Sequence, residues 1–570
     1  MRNLGFGDKK FLDSLRLFDY GNLKVSQNQY RQAMNTSATI QKVDAIIVGS
    51  GFAGMYQLHS LRDKMGLNAK VIERGAGVGG TWYWNRYPGA RCDSESHTYM
   101  YYFSQELVQE WEWSERYPQQ AEILRYMNFV ADKLKLRSDI KLNTAMTQAH
   151  FNETTNRWLV TTDTGEQYDA QFLITAVGCL SNANVPKIPG INDFKGDWYH
   201  TGQWPHEGVD FTGKRVGIIG TGSTGIQAIP VIAAQAKHLT VFQRTANYSL
   251  PARHHPLTPE FKKYAKEHSA EIYKVMTSNT NGHAFYIDDR SAVETPADVR
   301  QKTYEDKWEM GGFQFRASYR DLLTDDAANK TAADFIREKI RGIVKDPKMG
   351  EILSDIDHPF AGKRPPIDDH YFETYNRDNV SLVDLRSAPI EKITAKGIKT
   401  TEQEYELDII VFATGFDAMT GSLVRLDIVG RNKRTLKDYW SAGPRTNLGL
   451  QVPGFPNMFT ITGPGSPSVL SNMPPTIEQH VEWISDCISK MKSKGLTCVE
   501  TSEAASEAWQ KEVDRAANAT LLPKVKHSWY LGANVPGKPQ VFMPYAGGFA
   551  HYRTICDKVA SEDYKGFEMS

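Results

Sequence analysis

The chain has 570 residues, of which 67 are Lys or Arg, 67 are Asp or Glu and 40 % are hydrophobic. This composition is typical of globular proteins, and the length accommodates about two to four domains. The zero net charge excludes a general electrostatic attraction to nucleic acid or to an anionic membrane surface.

The N-terminal segment and the cysteines indicate the compartment. We expect residues 1–41 to form an extension, in which Asp8, Asp13 and Asp19 interrupt the apolar residues that a secretory signal would need. No apolar run approaches the roughly 20 residues of a membrane span. The five cysteines are scattered and form no CxxC pair, so neither a disulfide framework nor a metal site is expected. We therefore predict a cytoplasmic protein without a metal.

A strand, a glycine-rich turn, a helix and a second strand follow over residues 43–73. Glycines at 49, 51 and 54 allow a tight turn, a close approach of backbone to a pyrophosphate and close helix packing. An acid stands at the spacing where it accepts a hydrogen bond from a ribose hydroxyl. The pattern predicts an FAD-type site, with a glycine-rich structural turn as the alternative. The predicted contacts are Gly49, Gly51, Phe52, Ala53, Gly54 and Glu73.

Glycines and aromatic residues fill the next segment, residues 79–99. Such a segment suits a loop along an isoalloxazine ring, with Thr81 and Trp82 nearest to it. Asp93 lies in this stretch and could equally be a turn residue that caps a short helix. The strand "QFLITAVG" over residues 171–178 then returns to the same sheet.

The stretch "FKGDWYHTGQWPH", residues 194–206, has neither a strand period nor a helix period. Because it contains Gly196, Gly202 and Pro205, we expect a loop. It lies where the chain crosses to a second domain. From the residues alone, His200 is a packing histidine in that crossing.

A second strand and glycine-rich turn begin at residue 215. At the position of the ribose acid there is now Arg244, which pairs with a phosphate and not with a hydroxyl. The turn therefore predicts an NADP site, unless Arg244 is only a solvated surface charge. The predicted contacts are Gly220, Thr221, Gly222, Ser223, Thr224, Gly225, Gln227, Arg244 and Thr245.

The region after the second motif turns charged and helical, and then a proline pair comes directly after a basic pair. In "AGKRPP", Pro365 and Pro366 favour an extended Arg364 and stiffen the next residues of the chain. A rigidly aimed guanidinium suits a developing anion. The alternative is a surface pair of Lys363 and Arg364 before a linker.

Two dinucleotide motifs with different ribose selectors predict a hydride transfer from NADPH to a flavin. The predicted fold is an α/β protein with two Rossmann-like domains, for FAD and NADP, and a helical insertion in the NADP domain. The expected order is an extension (1–41), FAD domain (42–180), linker and NADP domain (181–250), helical insertion (251–360), NADP domain (361–412), and FAD domain with a mobile C-terminal loop (413–570).

The crossing segment fits the pattern Phe-x-Gly-x-x-x-His-x-x-x-Trp-Pro at Phe194, Gly196, His200, Trp204 and Pro205. With the flanking motifs, residues 42–570 resemble the Baeyer–Villiger monooxygenases, most closely the cyclohexanone, phenylacetone and cyclopentadecanone monooxygenase group. The resemblance implies NADPH- and O2-dependent oxidation of cyclic or bulky ketones to esters or lactones through a flavin C4a-peroxide.

The resemblance also implies roles for individual residues. Arg364 looks like the catalytic arginine, with Asp93 orienting it, and Lys363 like a second contact to the NADP phosphate. His200 and Trp204 look like hinge residues. The further cofactor contacts that it implies are Thr81, Trp82, Arg91, Cys92, Asp93, Tyr99, Met473 beside flavin and substrate, and Trp529, which could also be a packing anchor.

Three other classes share part of this pattern. An N- or S-oxygenating flavin monooxygenase is disfavoured by Trp204, Arg364 and Asp93. A pyridine nucleotide–disulfide reductase needs a cysteine pair beside the flavin, and Cys92 has no partner nearby in sequence. A non-catalytic flavin-binding sensor would leave the NADP selectors idle. We expect small-molecule partners only, a ketone and O2, and a monomer or small homo-oligomer.

Overall fold

The computed structural model describes residues 40–570, so the predicted extension lies almost entirely outside the described residues. The strands are β1 (Gln41–Val48), β2 (Ala69–Ile72), β3 (Ile140–Lys141), β4 (Met146–Asn152), β5 (Arg157–Thr162), β6 (Gln167–Thr175), β7 (Asp197–His200), β8 (Arg215–Ile219), β9 (His238–Gln243), β10 (Leu250–Pro251), β11 (Ile367–Asp368), β12 (Val380–Asp384), β13 (Ile390–Ile393), β14 (Gly397–Thr400), β15 (Glu404–Glu406), β16 (Ile409–Phe412), β17 (Asp427–Val429), β18 (Met458–Thr460), β19 (Val499–Thr501) and β20 (Phe567–Met569).

The α-helices are α1 (Phe52–His59), α2 (Thr81–Trp84), α3 (Gln105–Glu110), α4 (Gln120–Lys133), α5 (Ser223–Gln235), α6 (Pro259–Glu267), α7 (Ser269–Thr277), α8 (Ala297–Met310), α9 (Asp326–Ile343), α10 (Pro347–Ser354), α11 (Tyr371–Thr374), α12 (Leu436–Tyr439), α13 (Met473–Ser493), α14 (Glu503–Asn518) and α15 (Phe549–Ser561). Short 3-10 turns and one π-helical turn after α1 complete the regular structure. Within residues 40–570, no helix combines the length and the apolar character that crossing a membrane requires.

The first sheet has eight strands in the order β17-β4-β5-β6-β1-β2-β3, with β18 beside β6. Its centre, β6-β1-β2, is parallel, and the apolar run of β1 is buried because the sheet is covered on both faces. One face packs on α1 and α13, and the other on a core around Trp158 and Leu436.

The second sheet is entirely parallel, in the order β12-β9-β8-β16-β7. The helix α5 follows β8 directly and packs against β8 and β9. Each sheet thus holds one glycine-rich turn at the carboxyl end of a central strand. The chain is an α/β protein with two Rossmann-like units, as predicted.

The predicted loop at residues 194–206 is partly wrong, because Asp197–His200 forms the edge strand β7, parallel to β16. The glycines flank this strand and do not interrupt it. Gly196 lies so close to the neighbouring chain that a Cβ there would be 2.3 Å from the carbonyl oxygen of Asp408. A strand this short does not show enough alternation of apolar and polar residues to be recognised from the sequence.

The helical region divides its packing between the two cores. In α7, Ile272 and Met276 join the core under the first sheet. In α8 and α9, Trp308, Phe335 and Ile336 join the core under the second sheet. The helix α9 ends at Ile343, and Pro347 begins α10. The helical region therefore contributes to the cores of both sheets.

Candidate active site

The first glycine-rich turn, between β1 and α1, has no room for side chains at two positions. Gly49 has a φ of +104°, and a Cβ there would lie 2.6 Å from the carbonyl oxygen of Ala176. A Cβ at Gly54 would lie 1.8 Å from the carbonyl oxygen of Gly49. The backbone of Phe52 and Ala53 consequently starts α1 at the turn, where N–H groups attract a pyrophosphate.

The predicted ribose acid, Glu73, is a fixed and buried carboxylate. One oxygen accepts from the Ser50 N–H at 2.8 Å and from its hydroxyl at 3.0 Å, and the other accepts from the Gly75 N–H at 2.7 Å. Three hydrogen bonds hold both oxygens at the end of β2 beside the turn. A carboxylate there suits ribose hydroxyls and repels a phosphate, which fits the adenosine of FAD.

The second turn, between β8 and α5, repeats the arrangement. Gly220 has a φ of +111°, and a Cβ at Gly225 would lie 2.2 Å from the carbonyl oxygen of Gly220. A Cβ at Gly222, by contrast, would meet no atom within 4 Å. The N-terminus of α5, with Ser223 and Thr224 in its first turn, therefore borders open space, which fits a bound pyrophosphate.

Two cations lie together beyond the second turn. Arg244 is exposed and follows β9, and Lys363 is partly buried. Burial lowers the pKa of Lys363, Asp357 opposes this, and the charge of Arg244 lowers it further. Thr245 accepts a hydrogen bond from the Thr221 hydroxyl at 3.1 Å and stands next to Arg244. An anion bound between the two cations would relieve their repulsion. The 2′-phosphate of NADP is an anion of this kind.

The aromatic segment 79–99 builds a wall beside the first turn. The Trp82 Nε1–H donates to the Tyr99 hydroxyl at 3.2 Å, and the Tyr99 ring meets those of Trp82 and Phe52 edge-on at 5.8 and 5.4 Å. Trp82 and Tyr99 are buried, whereas Thr81 is exposed at the start of α2. Met473 is partly buried and begins α13.

Arg91 and Cys92 belong to the same segment, but their surroundings differ from those of Trp82 and Tyr99. The Arg91 carbonyl accepts from Gln227 Nε2 at 3.1 Å, and its guanidinium lies 3.6 Å from Asp369 in a separate surface cleft. Burial raises the pKa of the Cys92 thiol to about 12, so the thiol is protonated at neutral pH. All five cysteines are free and buried, and none supplies the disulfide that a reductase of the disulfide type needs.

The two predicted catalytic residues are in contact, although they are far apart in sequence. Arg364 Nε donates to Asp93 Oδ2 at 3.3 Å, and Gln227 Nε2 donates to Asp93 Oδ1 at 3.4 Å. Burial raises the pKa of the Asp93 carboxyl, whereas the charge of Arg364 and the N–H of Ile367 lower it. Asp93 thus links the flavin segment, the helix α5 and Arg364.

The guanidinium of Arg364 is held from three directions. Besides Asp93, its Nη1 donates to the carbonyl of Val469 at 3.3 Å, and the group lies over the ring of Phe313 at 4.8 Å. The two following prolines lead into β11, with the Leu250 N–H donating to the Pro366 carbonyl at 2.9 Å. The cation is therefore rigidly placed.

A cavity opens beside Arg364, and its lining includes residues that the sequence did not indicate. Phe313 and Val469 form part of the cavity lining, and Tyr530, which is fully buried, also lines the cavity. The predicted Trp529 is partly buried, with its ring 4.4 Å from that of Tyr530. The sequence indicated only the neighbouring Trp529, and the structure adds Tyr530 to the lining. The other polar residues of the lining are Asn281, His283, Arg316 and Ser471.

The predicted hinge residues lie at the end of β7, outside the cavity lining. His200 is buried, and its Nδ1 accepts from the Gly202 N–H at 3.0 Å. Burial lowers the pKa of His200 to about 4, so the ring is neutral at neutral pH. Trp204 is buried between Tyr199 and Phe211, at ring distances of 5.5 and 6.2 Å. Both residues are buried packing groups in this structure.

Comparison with known proteins places this geometry in context. The family described as pyridine nucleotide-disulphide oxidoreductase matches residues 46–331. A Baeyer-Villiger monooxygenase from Pseudooceanicola batsensis is 44 % identical over 94 % of this chain and 97 % of its own. A phenazine N-monooxygenase from Lysobacter antibioticus is 43 % identical over 92 % of this chain and 96 % of its own. The structure of an oxidized steroid monooxygenase bound to NADP superposes with a TM-score of 0.89 at 50 % identity, covering 93 % of this chain and 99 % of the other.

Proposed function

The chain belongs to the Baeyer–Villiger monooxygenases, and from this premise we propose that Arg364 and Asp93 carry its oxygenation chemistry. It is a flavoprotein that uses FAD, NADPH and O2 to oxidise ketones to esters or lactones. The observation that carries the proposal is the 3.3 Å contact between Arg364 and Asp93. It joins the segment after the helical region to the aromatic segment of the flavin half.

Arg364 is the electrostatic group of the site. FAD, when bound, accepts hydride from NADPH and activates O2, which amino-acid side chains do not do. A ketone carbonyl oxygen gains negative charge when its carbon is attacked. A guanidinium held by Asp93, the Val469 carbonyl and the Phe313 ring offers positive charge without having to move. Arg364 therefore stabilises that charge.

Asp93 is a positioning residue. Its two oxygens accept from Arg364 and from Gln227, which belongs to the helix of the second glycine-rich turn. A shift of that helix would consequently change the direction in which Arg364 points. This link supports a role for Asp93 in coupling the occupancy of the NADP half to the alignment of the arginine.

The other predicted residues have roles in binding FAD, in binding NADP or in the crossing between the two sheets. Glu73 receives the ribose of FAD, and Arg244 with Lys363 receives the 2′-phosphate of NADP. His200 and Trp204 are buried packing groups at the crossing between the two sheets, which supports a hinge role. Trp529 and Met473 pack against one hydrophobic cluster that also contains Tyr530, which supports their proposed place beside the site. We propose a cytoplasmic protein, supported by the five free cysteines, acting as a monomer or small homo-oligomer.

A second candidate activity is oxidation of an aromatic nitrogen, because one relative is a phenazine N-monooxygenase. Oxygen transfer to a ring nitrogen creates no carbonyl oxyanion, so it has less use for a fixed guanidinium. The pairing of Arg364 with Asp93 therefore favours ketones.

The direct experiment supplies the purified flavoprotein with NADPH, heavy-isotope O2 and three ketone classes: cyclic, aryl and linear. We expect an ester or lactone carrying one heavy oxygen for each NADPH consumed. Phenazine serves as the competing substrate, and a reaction without substrate measures uncoupled NADPH oxidation. Formation of an N-oxide with no ester from any ketone would reject the proposal. The same panel tests whether cyclic or bulky ketones are preferred.

A further inference from the structure

The cavity beside Arg364 contains a second guanidinium, that of Arg316, which has no role in the proposed oxygenation chemistry. Arg316 directly follows the 3-10 turn Gly312–Phe315, which also carries Phe313. It is partly buried and lines the cavity together with Arg364 and Tyr530. Arg316 is therefore placed where a substrate meets the catalytic arginine.

No acidic side chain in the described part of the chain neutralises the charge of Arg316. Arg364 has Asp93 as its counter-ion, whereas Arg316 makes no ion pair and no side-chain hydrogen bond with any residue between 40 and 570. Of the described residues that line the cavity, none is Asp or Glu. Burial lowers the pKa of Arg316, Tyr530 opposes this, and Arg364 lowers it further. An arginine nevertheless stays protonated at neutral pH.

The other polar residues of the cavity cannot supply a negative charge. Burial lowers the pKa of His283 to about 3, with Arg364 and Arg316 acting in the same direction, so the ring stays neutral. The Asn281 side-chain oxygen already accepts from the His283 N–H at 2.9 Å. The rest of the lining is largely apolar: Phe285, Ile287, Phe313, Val469, Leu470 and Leu522. The cavity thus has an apolar wall and an unpaired cation.

From this charge balance we infer that the natural substrate is a ketone that carries a carboxylate. Arg316 binds the carboxylate while the carbonyl lies at Arg364. A partly buried cation without a counter-ion is unfavourable, and an anionic substrate removes that cost on binding. A planar guanidinium also fits a carboxylate through two parallel hydrogen bonds. The inference rests on the proposed function and specifies its substrate class.

NADP is a less suitable source of the anion. Its 2′-phosphate has Arg244 and Lys363, which interact with each other beyond the second turn. Its pyrophosphate has the open N-terminus of α5 at Gly222. Neither Arg244 nor Lys363 lines the cavity of Arg316.

The test compares linear oxo acids of increasing length, beginning with levulinate, with their methyl esters on the holoenzyme. We expect the wild type to prefer at least one acid over its ester by about 10-fold or more in kcat/KM. Arg316→Met should lower that ratio by about 10- to 100-fold, the range of one charge-assisted pair. Arg320→Met is the matched control: it removes the same charge from an exposed arginine that lies 3.5 Å from Glu294, and the ratio should stay unchanged.

A binding readout separates recognition from turnover. Calorimetric titration of holoenzyme with hexanoate, which cannot react, should give a Kd raised by about 10-fold in Arg316→Met and by less in Arg316→Lys. Thermal unfolding confirms that each variant is folded. An unchanged acid-to-ester ratio in Arg316→Met, or no preferred acid in the wild type, overturns the inference. So does a weaker NADPH affinity with an unchanged ratio, which would assign Arg316 to the cofactor. Failure to oxygenate acids and esters alike overturns the proposed function itself.

Discussion

At the scale of single residues, the countercharge of each cation determines its role. The charge of Arg244 lowers the pKa of Lys363, and we propose that the two cations bind a phosphate. Arg364 is balanced by Asp93 and is held in place for a charge that develops during reaction. Arg316 has no counter-ion among the described residues, and we infer that it binds a negative charge of the substrate. We propose that these cations therefore serve binding, catalysis and specificity, respectively.

The preference for NADPH over NADH tests the residue assigned to the 2′-phosphate. Arg244→Ala should lower the NADPH-to-NADH ratio of kcat/KM by about 10- to 100-fold, because one charge-assisted pair of ~1.5–3 kcal/mol is lost and Lys363 remains. Steady-state kinetics with both cofactors measure the ratio. Arg253→Ala, which removes an exposed arginine paired with Glu309, is the control. An unaltered ratio in Arg244→Ala would show that another residue selects the phosphate.

At the scale of elements, each glycine-rich turn combines positions that the fold requires with a position that the ligand requires. In the second turn, Gly225 lies against the carbonyl of Gly220, whereas the space beside Gly222 is open. Helix packing therefore determines the first of these positions, and we propose that the approach of the pyrophosphate determines the second.

Two alanine substitutions separate these requirements. Gly225→Ala should destabilise the protein by about 1–3 kcal/mol, because its Cβ would lie 2.2 Å from a backbone oxygen. Gly222→Ala should leave the melting temperature unchanged but weaken NADPH binding severalfold. Flavin fluorescence during heating and NADPH titration give the two quantities. Equal NADPH affinity in Gly222→Ala and wild type would remove the turn from the cofactor site.

Sequence alone predicted the elements whose chemistry is local. Both turns, the selectors Glu73 and Arg244, and the stiff Arg364 segment depend on short-range patterns. The edge strand β7 escaped detection because it is only four residues long and stands between glycines. The cavity could not be predicted, since Phe313, Val469 and Tyr530 come from three distant segments and meet only through packing. Arg316 was missed for the same reason.

At the scale of the whole molecule, buried neutral histidines couple stability to pH. Burial lowers the pKa of His200 and His358 to about 4, and of His283 and His480 to about 3. Each of these histidines takes up a proton on unfolding when the pH is below about 6.5. Two buried carboxyls act in the opposite direction, because burial raises the pKa of Asp368 and of Glu478 to about 7.

The histidines outnumber the carboxyls, and this fixes the sign. Near pH 5.5 these four histidines bind about four protons in the unfolded chain, and these two carboxyls bind about two protons in the folded chain, so together they make stability rise with pH. We expect the melting temperature to increase between pH 5 and 6.5, with a slope of about two protons per molecule near pH 5.5 that declines toward pH 6.5. Thermal unfolding in buffers of constant ionic strength measures this. A flat or falling profile would mean that these histidines are charged in the fold.

We propose that the oxygenation reaction depends on Arg364, and one measurement tests this most directly: the ester formed per NADPH consumed by Arg364→Ala. NADPH should still bind and be consumed, because Arg244 and Lys363 are unchanged. Ester formation should fall by ~100- to 1000-fold, the effect of removing one preorganised donor at an oxyanion. Arg364→Lys should recover little of it, since an ammonium cannot keep the planar contacts with Asp93 and Val469. A normal ester yield from Arg364→Ala would contradict the role of this arginine.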